Sequence, residues 1–369
     1  MKENMENMES NGLPRLGQIY FYLTEGCNLA CRHCWIAPKF DAQAKLPALP
    51  VDLFEKAIME AKSIGLEGVK LTGGEPLMHP HFVELLEIVN RDGLSLGIET
   101  NGVLCTPDFA TEIAKNPKRH ISVSIDGADA ATHEWIRGVV GSFEKAKKGV
   151  KNLVASGTHP QIIFTVMRKN VGQVEKVVEM AKEMKANSVK FNIIQPTARG
   201  ENMSKAGETL GVEELLRLGR WIEMELAPKA GIPLIFDYPY CFKPLSRISR
   251  GEGCGRCSIM NIMGVIASGH YALCGIGYHL PELVFGEVGK DRLEDIWRDN
   301  KILNALRDGL PQKLEGICRK CLMKHYCLGS CIAQNYYSTG SLWAPYWFCD
   351  KAHKAGIFPL SRINDSVEA

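Results

Sequence analysis

Six short apolar runs alternate with helical patterns between residues 18 and 235, and this alternation constrains the fold more than any other feature. The runs are QIYFYLT, GVKLTGG, LSLGIETN, HISVSID, QIIFTVM and SVKFNII. Between the first two runs, apolar residues recur at helical spacing, at Phe54, Ala57, Ile58, Ala61 and Ile64. Alternating strands and helices form a parallel sheet covered by helices. The sequence therefore predicts an α/β fold, a partial (β/α)6 barrel of the TIM type that is open on one side.

Polar and glycine-bearing motifs follow three of the predicted strands. TGGEP comes after the second strand, ETNG ends the third and SIDG ends the fourth. In barrels of parallel strands, chemistry is located where the carboxyl ends of the strands meet the loops. We therefore expect the functional site at this edge of the sheet.

The chain divides into three predicted segments. Residues 1–16 are polar and are expected to form a flexible tail, residues 17–235 form the barrel, and residues 236–369 form a second domain. This last segment is rich in Cys, Gly and Pro and has one evident helical pattern, LEDIWRDNKILNALRDG. A loop-rich segment of this kind needs metal centres to hold its fold.

Composition excludes several classes of partner. No apolar run approaches the ~18 to 20 residues that a membrane span needs, and the polar start lacks the apolar core of a secretory signal. The 44 basic and 42 acidic residues are mixed along the chain, so neither nucleic acid nor a membrane surface is an expected partner. Thirteen cysteines in a chain that we expect to be cytoplasmic favour metal ligation over disulfides.

The stretch TEGCNLACRHCW places Cys27, Cys31 and Cys34 in the loop after the first predicted strand. Cysteine thiolates hold iron–sulfur clusters, and three of them leave one iron of a cubane cluster open. An open coordination position is where a substrate or cofactor binds. The alternatives are a zinc site with a distant fourth ligand and reduced structural cysteines.

This motif, with the strand before it and GGEP after the second strand, resembles the radical S-adenosylmethionine (SAM) superfamily. The resemblance implies that SAM chelates the open iron of a [4Fe–4S] cluster through its amino and carboxylate groups. One electron then cleaves SAM to methionine and a 5'-deoxyadenosyl radical, which abstracts a substrate hydrogen.

The resemblance also implies a set of SAM contacts. The backbone of TGGEP approaches SAM closely, Glu99, Asn101 and Ser124 contact the ribose and methionyl parts, and Arg137 pairs with the carboxylate. A structural role is the alternative for each of the last four residues. The complete set of expected contacts is Gly73, Gly74, Glu75, Pro76, Glu99, Asn101, Ser124 and Arg137.

The C-terminal cysteines follow the pattern C-x2-C-x5-C-x3-C-x17-C from Cys318 to Cys349, with C-x2-C and G-x4-C upstream. This resembles the SPASM extension of radical SAM enzymes, which carries two auxiliary [4Fe–4S] clusters and brings the expected total to three. The first would be held by Cys254, Cys257, Cys274 and Cys331, and the second by Cys318, Cys321, Cys327 and Cys349. A pair of zinc sites is the alternative. Cys105 and Cys241 are interpreted as small buried hydrophobic residues.

The family resemblance favours a peptide or protein substrate that receives an oxidative modification, such as a thioether or carbon–carbon crosslink. A separate PqqD-like leader-binding protein and a flavodoxin- or ferredoxin-type electron donor are the expected partners. The runs ELVFGEVGKDRLEDIW and WAPYWFCDKA also resemble SynChlorMet-cassette SPASM proteins. Alternatives are oxidative decarboxylation of a tetrapyrrole and an iron–sulfur electron carrier without SAM chemistry.

The sequence gives little information about the catalytic acid or base. Sulfatase-maturating enzymes have a catalytic aspartate directly after the G-x4-C cysteine, where this chain has Gly275, so formylglycine formation is disfavoured. No catalytic acid or base is assigned. The polar residues that we consider as possible site-lining groups are His270, Tyr271, Asp237 and Tyr240.

Overall fold

The computed structural model describes residues 14–43, 45–249 and 257–364. Most of the predicted tail and the predicted ligand Cys254 lie outside these ranges. Strands β1–β12 span Gln18–Tyr22, Gly26–Cys27, Lys39–Phe40, Gly68–Thr72, Ser95–Thr100, Arg119–Ser124, Gln161–Val166, Ser188–Ile193, Leu234–Phe236, Ile262–Val265, His270–Ala272 and Val284–Glu287. Helices α1–α16 span Val51–Lys62, Phe82–Arg91, Pro107–Ala114, Ala130–Arg137, Ser142–Ala155, Val174–Glu183, Arg199–Lys205, Val212–Trp221, Ala227–Ala230, Leu245–Ile248, Leu293–Asp299, Lys301–Gly309, Gly316–Lys320, Lys324–Cys327, Ile332–Thr339 and Trp347–Lys354.

The described residues form one ten-stranded sheet in the order β12-β11-β10-β1-β4-β5-β6-β7-β8-β9. All neighbouring pairs from β10 to β9 are parallel, and β11 and β12 add an antiparallel edge. All six predicted strands are present. The α/β fold with an open, TIM-like partial barrel is therefore confirmed.

Side chains that alternate along each strand separate a helix-packed outer face from an inner lumen. On the outer face, residues such as Leu71, Val123 and Phe164 are fully buried. The predicted apolar face of α1 is confirmed, because Phe54, Ala57, Ile58, Ala61 and Ile64 are all fully buried. Burying such a side chain contributes about 1.5–3 kcal/mol, so this layer of packing is the main support of the barrel.

Six strands were not predicted from the sequence. Strands β2 and β3 form a separate two-stranded sheet, and three of the other four come from the cysteine-rich segment. Strand β9 has three residues, and β10 to β12 have three or four each. Strand β10 pairs with β1 in parallel register, with Gln18 opposite Ile262 and Phe21 opposite Val265. The chain after residue 236 therefore extends the sheet of the barrel.

The predicted helix LEDIWRDNKILNALRDG is two helices, α11 and α12, which meet at Asn300. Asn300 has extended backbone angles, and its side-chain Oδ1 accepts hydrogen bonds from Ile302 N–H at 2.9 Å and Leu303 N–H at 3.1 Å. This is an N-cap, which favours a new helix start over continuation of the old one. The sequence analysis missed the break because the apolar spacing continues across it.

We expect Asn300→Ala to lower the free energy of unfolding by about 1 kcal/mol, because two N–H groups at the start of α12 lose their acceptor. Chemical denaturation of the variant and the parent protein measures the difference. Lys301→Ala, at the neighbouring exposed position, is the control and should leave the midpoint nearly unchanged. Equal midpoints for the parent protein and Asn300→Ala would contradict the capping role.

Candidate active site

The loop with the first three cysteines follows β1 at the carboxyl edge of the sheet and is held from several sides. Cys27 lies in β2; Cys27 and Cys31 are buried, and Cys34 is half-buried. Two backbone N–H groups of the loop donate hydrogen bonds to the end of α4, at 2.9 and 3.0 Å. Arg199 of α7 donates to Cys31 O at 3.2 Å and to Pro38 O at 2.6 Å. The three thiols are thus presented by a fixed backbone.

The GGEP turn after β4 is joined directly to the turn that precedes the first cysteine. Gly74 N–H donates to Thr24 O at 3.2 Å, and Glu75 N–H donates to Gly26 O at 3.2 Å. The Thr24 hydroxyl donates to Gly26 O at 2.9 Å. Because Gly26 directly precedes Cys27, the GGEP turn fixes the position of the first thiol.

Both glycines of this turn are required by geometry. A Cβ atom at Gly74 would lie 1.8 Å from Gly26 O, which is closer than two non-bonded heavy atoms can approach. Gly73 has a φ of 117°, a backbone conformation that residues other than glycine rarely adopt. A Cβ at this position would lie 2.9 Å from Leu23 N. The two turns can touch only because both positions lack a side chain.

The carboxylate of Glu75 links this turn to the end of β5. It accepts hydrogen bonds from the Thr100 hydroxyl at 2.6 Å, Asn101 N–H at 2.8 Å and Leu77 N–H at 3.1 Å. The side chain is buried, and burial raises the pKa of Glu75 to about 7. In this structure the Glu75 carboxylate therefore positions neighbouring backbone; its predicted contact with SAM stays a prediction.

Asn101 carries the same chain of contacts back to the first cysteine. Its side-chain amide donates to the Cys27 sulfur at 3.8 Å and to Asn28 Oδ1 at 2.8 Å, while its own Oδ1 accepts from Val103 N–H at 3.0 Å. Asn101 is buried. The predicted SAM contact Asn101 thus lies beside the cysteine loop and holds it.

A buried ion pair stands behind the second cysteine. Arg137 Nη2 lies 2.7 Å from Asp126 Oδ2, and Arg137 Nη1 donates to the Cys31 sulfur at 3.5 Å. His33 Nε2 lies 3.6 Å from the same carboxylate oxygen. Among the described residues, Arg137 Nε, His33 Nδ1 and His133 Nε2 are buried without a hydrogen-bond partner. Arg137, which we predicted to pair with the SAM carboxylate, is engaged with Asp126 and Cys31 here.

The donor chemistry of this loop fits a thiolate-ligated cluster. N–H groups of Leu29, Asn101 and Arg137 point at the sulfurs of Cys27 and Cys31, at 3.4, 3.8 and 3.5 Å. Hydrogen bonds to ligating sulfur are one of the means by which a protein sets cluster potential. Within the described ranges, no three His, Cys, Asp or Glu side chains are arranged to hold one metal ion. The fit of this loop to a cluster therefore rests on the spacing of its three cysteines and on these N–H donors.

Charged side chains from several strands project into the lumen of the barrel. Lys70 Nζ lies 3.0 Å from Glu99 Oε1, and Lys190 Nζ lies 3.2 Å from Asp237 Oδ2. The Glu99 side chain is 51% exposed to the lumen, and the pKa of Glu99 is lowered by Lys70 and Lys190 against the effect of burial. The two cations thus each have a carboxylate partner, and the lumen is polar but balanced in charge.

The predicted SAM contacts lie at one edge of the sheet. The GGEP residues follow β4. Glu99 is the next-to-last residue of β5, Asn101 directly follows β5, and Ser124 is the last residue of β6. Parallel strands β4, β5 and β6 are neighbours in the sheet, so these residues line the same rim as the cysteine loop. Their contacts with SAM stay a prediction.

Three of the four cysteines predicted for the first auxiliary cluster are described, and they lie near one another. Burial raises the pKa of the Cys274 thiol, and the nearby thiols of Cys331 and Cys257 raise it further. Cys274 follows β11, and Cys331 stands at the start of α15. The sheet edge and a helix start therefore bring together residues that are 57 positions apart in the chain.

Gly275 is closely packed, which gives a physical reason for the absence of an aspartate there. A Cβ atom at this position would lie 2.4 Å from the ring of Tyr22 and 2.6 Å from Ile36 Cδ1. An acidic side chain would need both neighbours to move. Close packing therefore disfavours an aspartate at this position.

The four cysteines predicted for the second auxiliary cluster line one small cavity. Two backbone N–H groups point at their sulfurs: Met323 donates to Cys321 at 3.3 Å and Tyr346 donates to Cys318 at 3.4 Å. Four thiols and N–H donors around one space fit a cubane cluster. The assignment of Cys318, Cys321, Cys327 and Cys349 stays a prediction.

Sequence reasoning missed three site residues whose partners are distant in the chain. Asp126 pairs with Arg137, Arg199 holds the first cysteine loop, and Cys241 lines the second auxiliary cavity. The aspartate of the SIDG motif could have indicated Asp126 as a site residue. Neither Arg199 nor Cys241 belongs to a recognisable motif.

Of the four residues considered as site-lining groups, Asp237 reaches the lumen. The others have contacts elsewhere: the Tyr271 hydroxyl donates to Glu60 at 3.3 Å, His270 Nδ1 lies 3.1 Å from Ser268, and Tyr240 stacks on Tyr326.

Two family models match the chain. The one described as the radical SAM superfamily covers residues 21–181, and the SPASM model, described as an iron–sulfur cluster-binding domain, covers residues 254–322. The matched ranges contain the first cysteine loop and the upstream part of the second set of cysteines. Within the described residues, no helix is both long and apolar enough to cross a membrane.

Similar proteins include enzymes with different substrates. The AdoMet-dependent heme synthase of Methanosarcina barkeri is 31% identical over 89% of this chain and 93% of its own length. The mycofactocin maturase MftC of Mycobacterium tuberculosis is 26% identical over 90% of this chain and 82% of its own. Among solved structures, SuiB of Streptococcus suis bound to its precursor peptide SuiA matches with a TM-score of 0.74 at 17% identity, over 94% of this chain and 79% of SuiB. The structural match shows a shared fold.

We expect Gly74→Ala to lower the free energy of unfolding by about 2–3 kcal/mol, because the added methyl group forces the GGEP turn away from Gly26. Denaturation midpoints of the variant and the parent protein measure this. Gly172→Ala is the matched control: a Cβ at Gly172 meets nothing within 4 Å, so the change should stay below about 1 kcal/mol. Equal effects of the two substitutions would show that the contact between the turns is not tight.

Proposed function

The chain belongs to the radical SAM superfamily and carries a SPASM iron–sulfur domain, and from this we propose that it abstracts a hydrogen atom from a peptide or protein substrate and leaves an oxidative crosslink or similar modification. SAM and a reduced cluster, when bound at the first three cysteines, supply a 5'-deoxyadenosyl radical. The residues of this chain would hold the clusters and SAM and orient the substrate in the lumen.

Charge balance in the lumen is the observation that carries the substrate class. Lys70 and Lys190 are the lysines that the inner face of the described sheet brings into the lumen, and each is paired with a carboxylate, Glu99 or Asp237. A substrate with several carboxylates needs unpaired cations to bind it. A peptide, whose backbone is uncharged, suits a lumen whose own charges are satisfied.

A second candidate substrate is a tetrapyrrole with carboxylate side chains, which would undergo oxidative decarboxylation. Two observations favour it: the relative with 31% identity is a heme synthase, and Lys70 and Lys190 would suit carboxylates if Glu99 and Asp237 turned away. In this candidate one hydrogen atom is abstracted, carbon dioxide leaves and one electron is released. The two candidates share the same use of SAM and differ in the leaving group.

Two auxiliary clusters, each with four thiolates, would serve as electron acceptors. Hydrogen abstraction leaves a substrate radical, which forms a new bond by losing a proton and one electron. A cluster with every iron ligated by cysteine would have no position for a substrate thiolate, so the chemistry it would supply is electron transfer. The external donor is then a flavodoxin- or ferredoxin-type protein, and a PqqD-like protein presents the peptide leader. The reducing cytoplasm is the compartment that we assign to an enzyme with thirteen cysteines.

The first test is anaerobic reconstitution, followed by iron and sulfide analysis and a SAM-cleavage assay with dithionite. We expect about twelve irons per chain and formation of 5'-deoxyadenosine. Mass spectrometry then follows two substrates in parallel: the peptides encoded beside the gene, and a propionate-bearing tetrapyrrole. Loss of two hydrogen atoms from a peptide supports the leading proposal. Loss of carbon dioxide and two hydrogen atoms from the tetrapyrrole replaces it with the second candidate, and the absence of 5'-deoxyadenosine with either substrate indicates an electron carrier.

We expect Cys274→Ala to separate SAM cleavage from product formation. The variant should hold about four fewer irons, still form 5'-deoxyadenosine, and form little modified substrate, because the electron from the substrate radical has lost its acceptor. The ratio of product to 5'-deoxyadenosine measures this. Cys105→Ala, which removes a buried thiol that lines neither cysteine group, should leave iron content and ratio unchanged. An unchanged ratio in Cys274→Ala would argue against the electron-acceptor role.

A further inference from the structure

The cavity of the second auxiliary cluster is lined by five cysteines, one more than a cubane cluster needs. The fifth is Cys241, whose sulfur lies 3.8 Å from the sulfur of Cys349. Both residues are buried. The Cys241 thiol also interacts with that of Cys321, so it faces the ligand set from inside the cavity.

The backbone that directly follows Cys241 is fixed by two sets of contacts. The ring of the next residue, Phe242, packs against Phe348 at 5.5 Å and against Phe358 at 5.6 Å between ring centroids. Phe348 directly precedes Cys349 in α16. This aromatic contact therefore holds the two cysteine backbones next to each other.

The second set of contacts is an ion pair of the buried residue Lys243. Lys243 is buried, and its ammonium group lies 2.8 Å from Glu223 and donates to Phe236 O at 3.2 Å. The Arg362 guanidinium donates to Lys243 O at 3.3 Å. Breaking a buried pair of this kind is strongly unfavourable, so the turn that carries Cys241 is a rigid element of the cavity wall.

Cys105 provides an internal comparison for this position. It is equally buried, but it lies in the apolar core of the barrel, where Asn152 donates to its carbonyl group and no cysteine interacts with its thiol among the described residues. A cysteine that merely fills space looks like Cys105. Cys241 differs because its sulfur is directed at a group of other sulfurs.

We propose that Cys241 is an alternative ligand of the second auxiliary cluster, which shares one iron position with Cys349. This inference rests on the cluster assignment of the proposed function. In the exchange, one iron–sulfur bond to Cys349 breaks and one to Cys241 forms. The proton of the incoming thiol passes to the departing thiolate, and no electron is transferred. A site with five thiols can therefore lose one ligand and keep its cluster.

The test compares single and double variants of the reconstituted full-length protein by iron and sulfide content. Cys318→Ala, a ligand without a neighbouring spare, sets the reference loss of about four irons. We expect Cys349→Ala and Cys241→Ala each to keep about the full iron content, and Cys241→Ala/Cys349→Ala to lose as much as the reference. Cys105→Ala in a Cys349→Ala background is the matched control and should keep its iron.

Electron paramagnetic resonance of the reduced proteins gives a second readout that does not depend on activity. In a background that lacks Cys27, Cys31 and Cys34, only auxiliary clusters contribute to the spectrum. Adding Cys241→Ser to Cys349→Ala should change the spectrum, because the serine oxygen replaces the exchanged sulfur.

Two outcomes overturn the inference. If Cys349→Ala alone loses as much iron as Cys318→Ala, Cys241 does not replace it, and this comparison decides even if the double variant fails to fold. If the parent protein binds only about four irons, the second auxiliary cluster itself is absent and the cluster assignment fails with it. If the parent protein holds its full iron content and Cys349→Ala is depleted of iron, only the inference about Cys241 is refuted and the cluster assignment stands.

Discussion

The contact between two backbone turns, Thr24–Gly26 and Gly74–Glu75, is the constraint on which the rest of the site depends. Two backbone hydrogen bonds, a bond from Glu75 N–H to the Thr24 hydroxyl, and the absence of side chains at Gly73 and Gly74 bring the turns together. The Glu75 carboxylate then fixes Thr100 and Asn101, and Asn101 reaches back to Cys27. The ends of β1, β4 and β5 are thereby joined in one buried hydrogen-bond network. Such a network is rigid because each member left unpaired would cost about 1–3 kcal/mol.

The shared sheet extends this frame to the auxiliary region. Strand β10 pairs with β1, and a Cβ at Gly264 of β10 would lie only 2.8 Å from Cys274 Cα. Glu60 of α1 accepts hydrogen bonds from Leu293 N–H and the Tyr271 hydroxyl, which ties the barrel's first helix to the same region. The first cysteine loop and Cys274 therefore lie on one hydrogen-bonded structure, as the electron transfer proposed above would require.

The sequence predicted the regular part of this molecule well because regular structure has a local signal. Six strands and the face of α1 follow from periodicity within ten or fifteen residues, and the cysteine spacings carried the family resemblance. Strands β9 to β12 were missed because three or four residues give too little alternation. The break at Asn300 needed the cap geometry, and the positions of Asp126, Arg199 and Cys241 depend on partners about 10 to 170 residues away. Such pairings have no local pattern to read.

The ion pairs of the molecule fall into two kinds that differ in burial. Arg137 and Asp126 are almost fully buried beside Cys31, and separating such a pair costs about 3–5 kcal/mol, so this pair stays in place throughout. Lys70–Glu99 and Lys190–Asp237 are partly open to the lumen, where an ion pair contributes only about 0–1 kcal/mol. The fold therefore constrains the two lumen pairs much less than the pair beside Cys31. If the lumen binds the substrate as we propose, these side chains can select it while the cluster loop remains fixed.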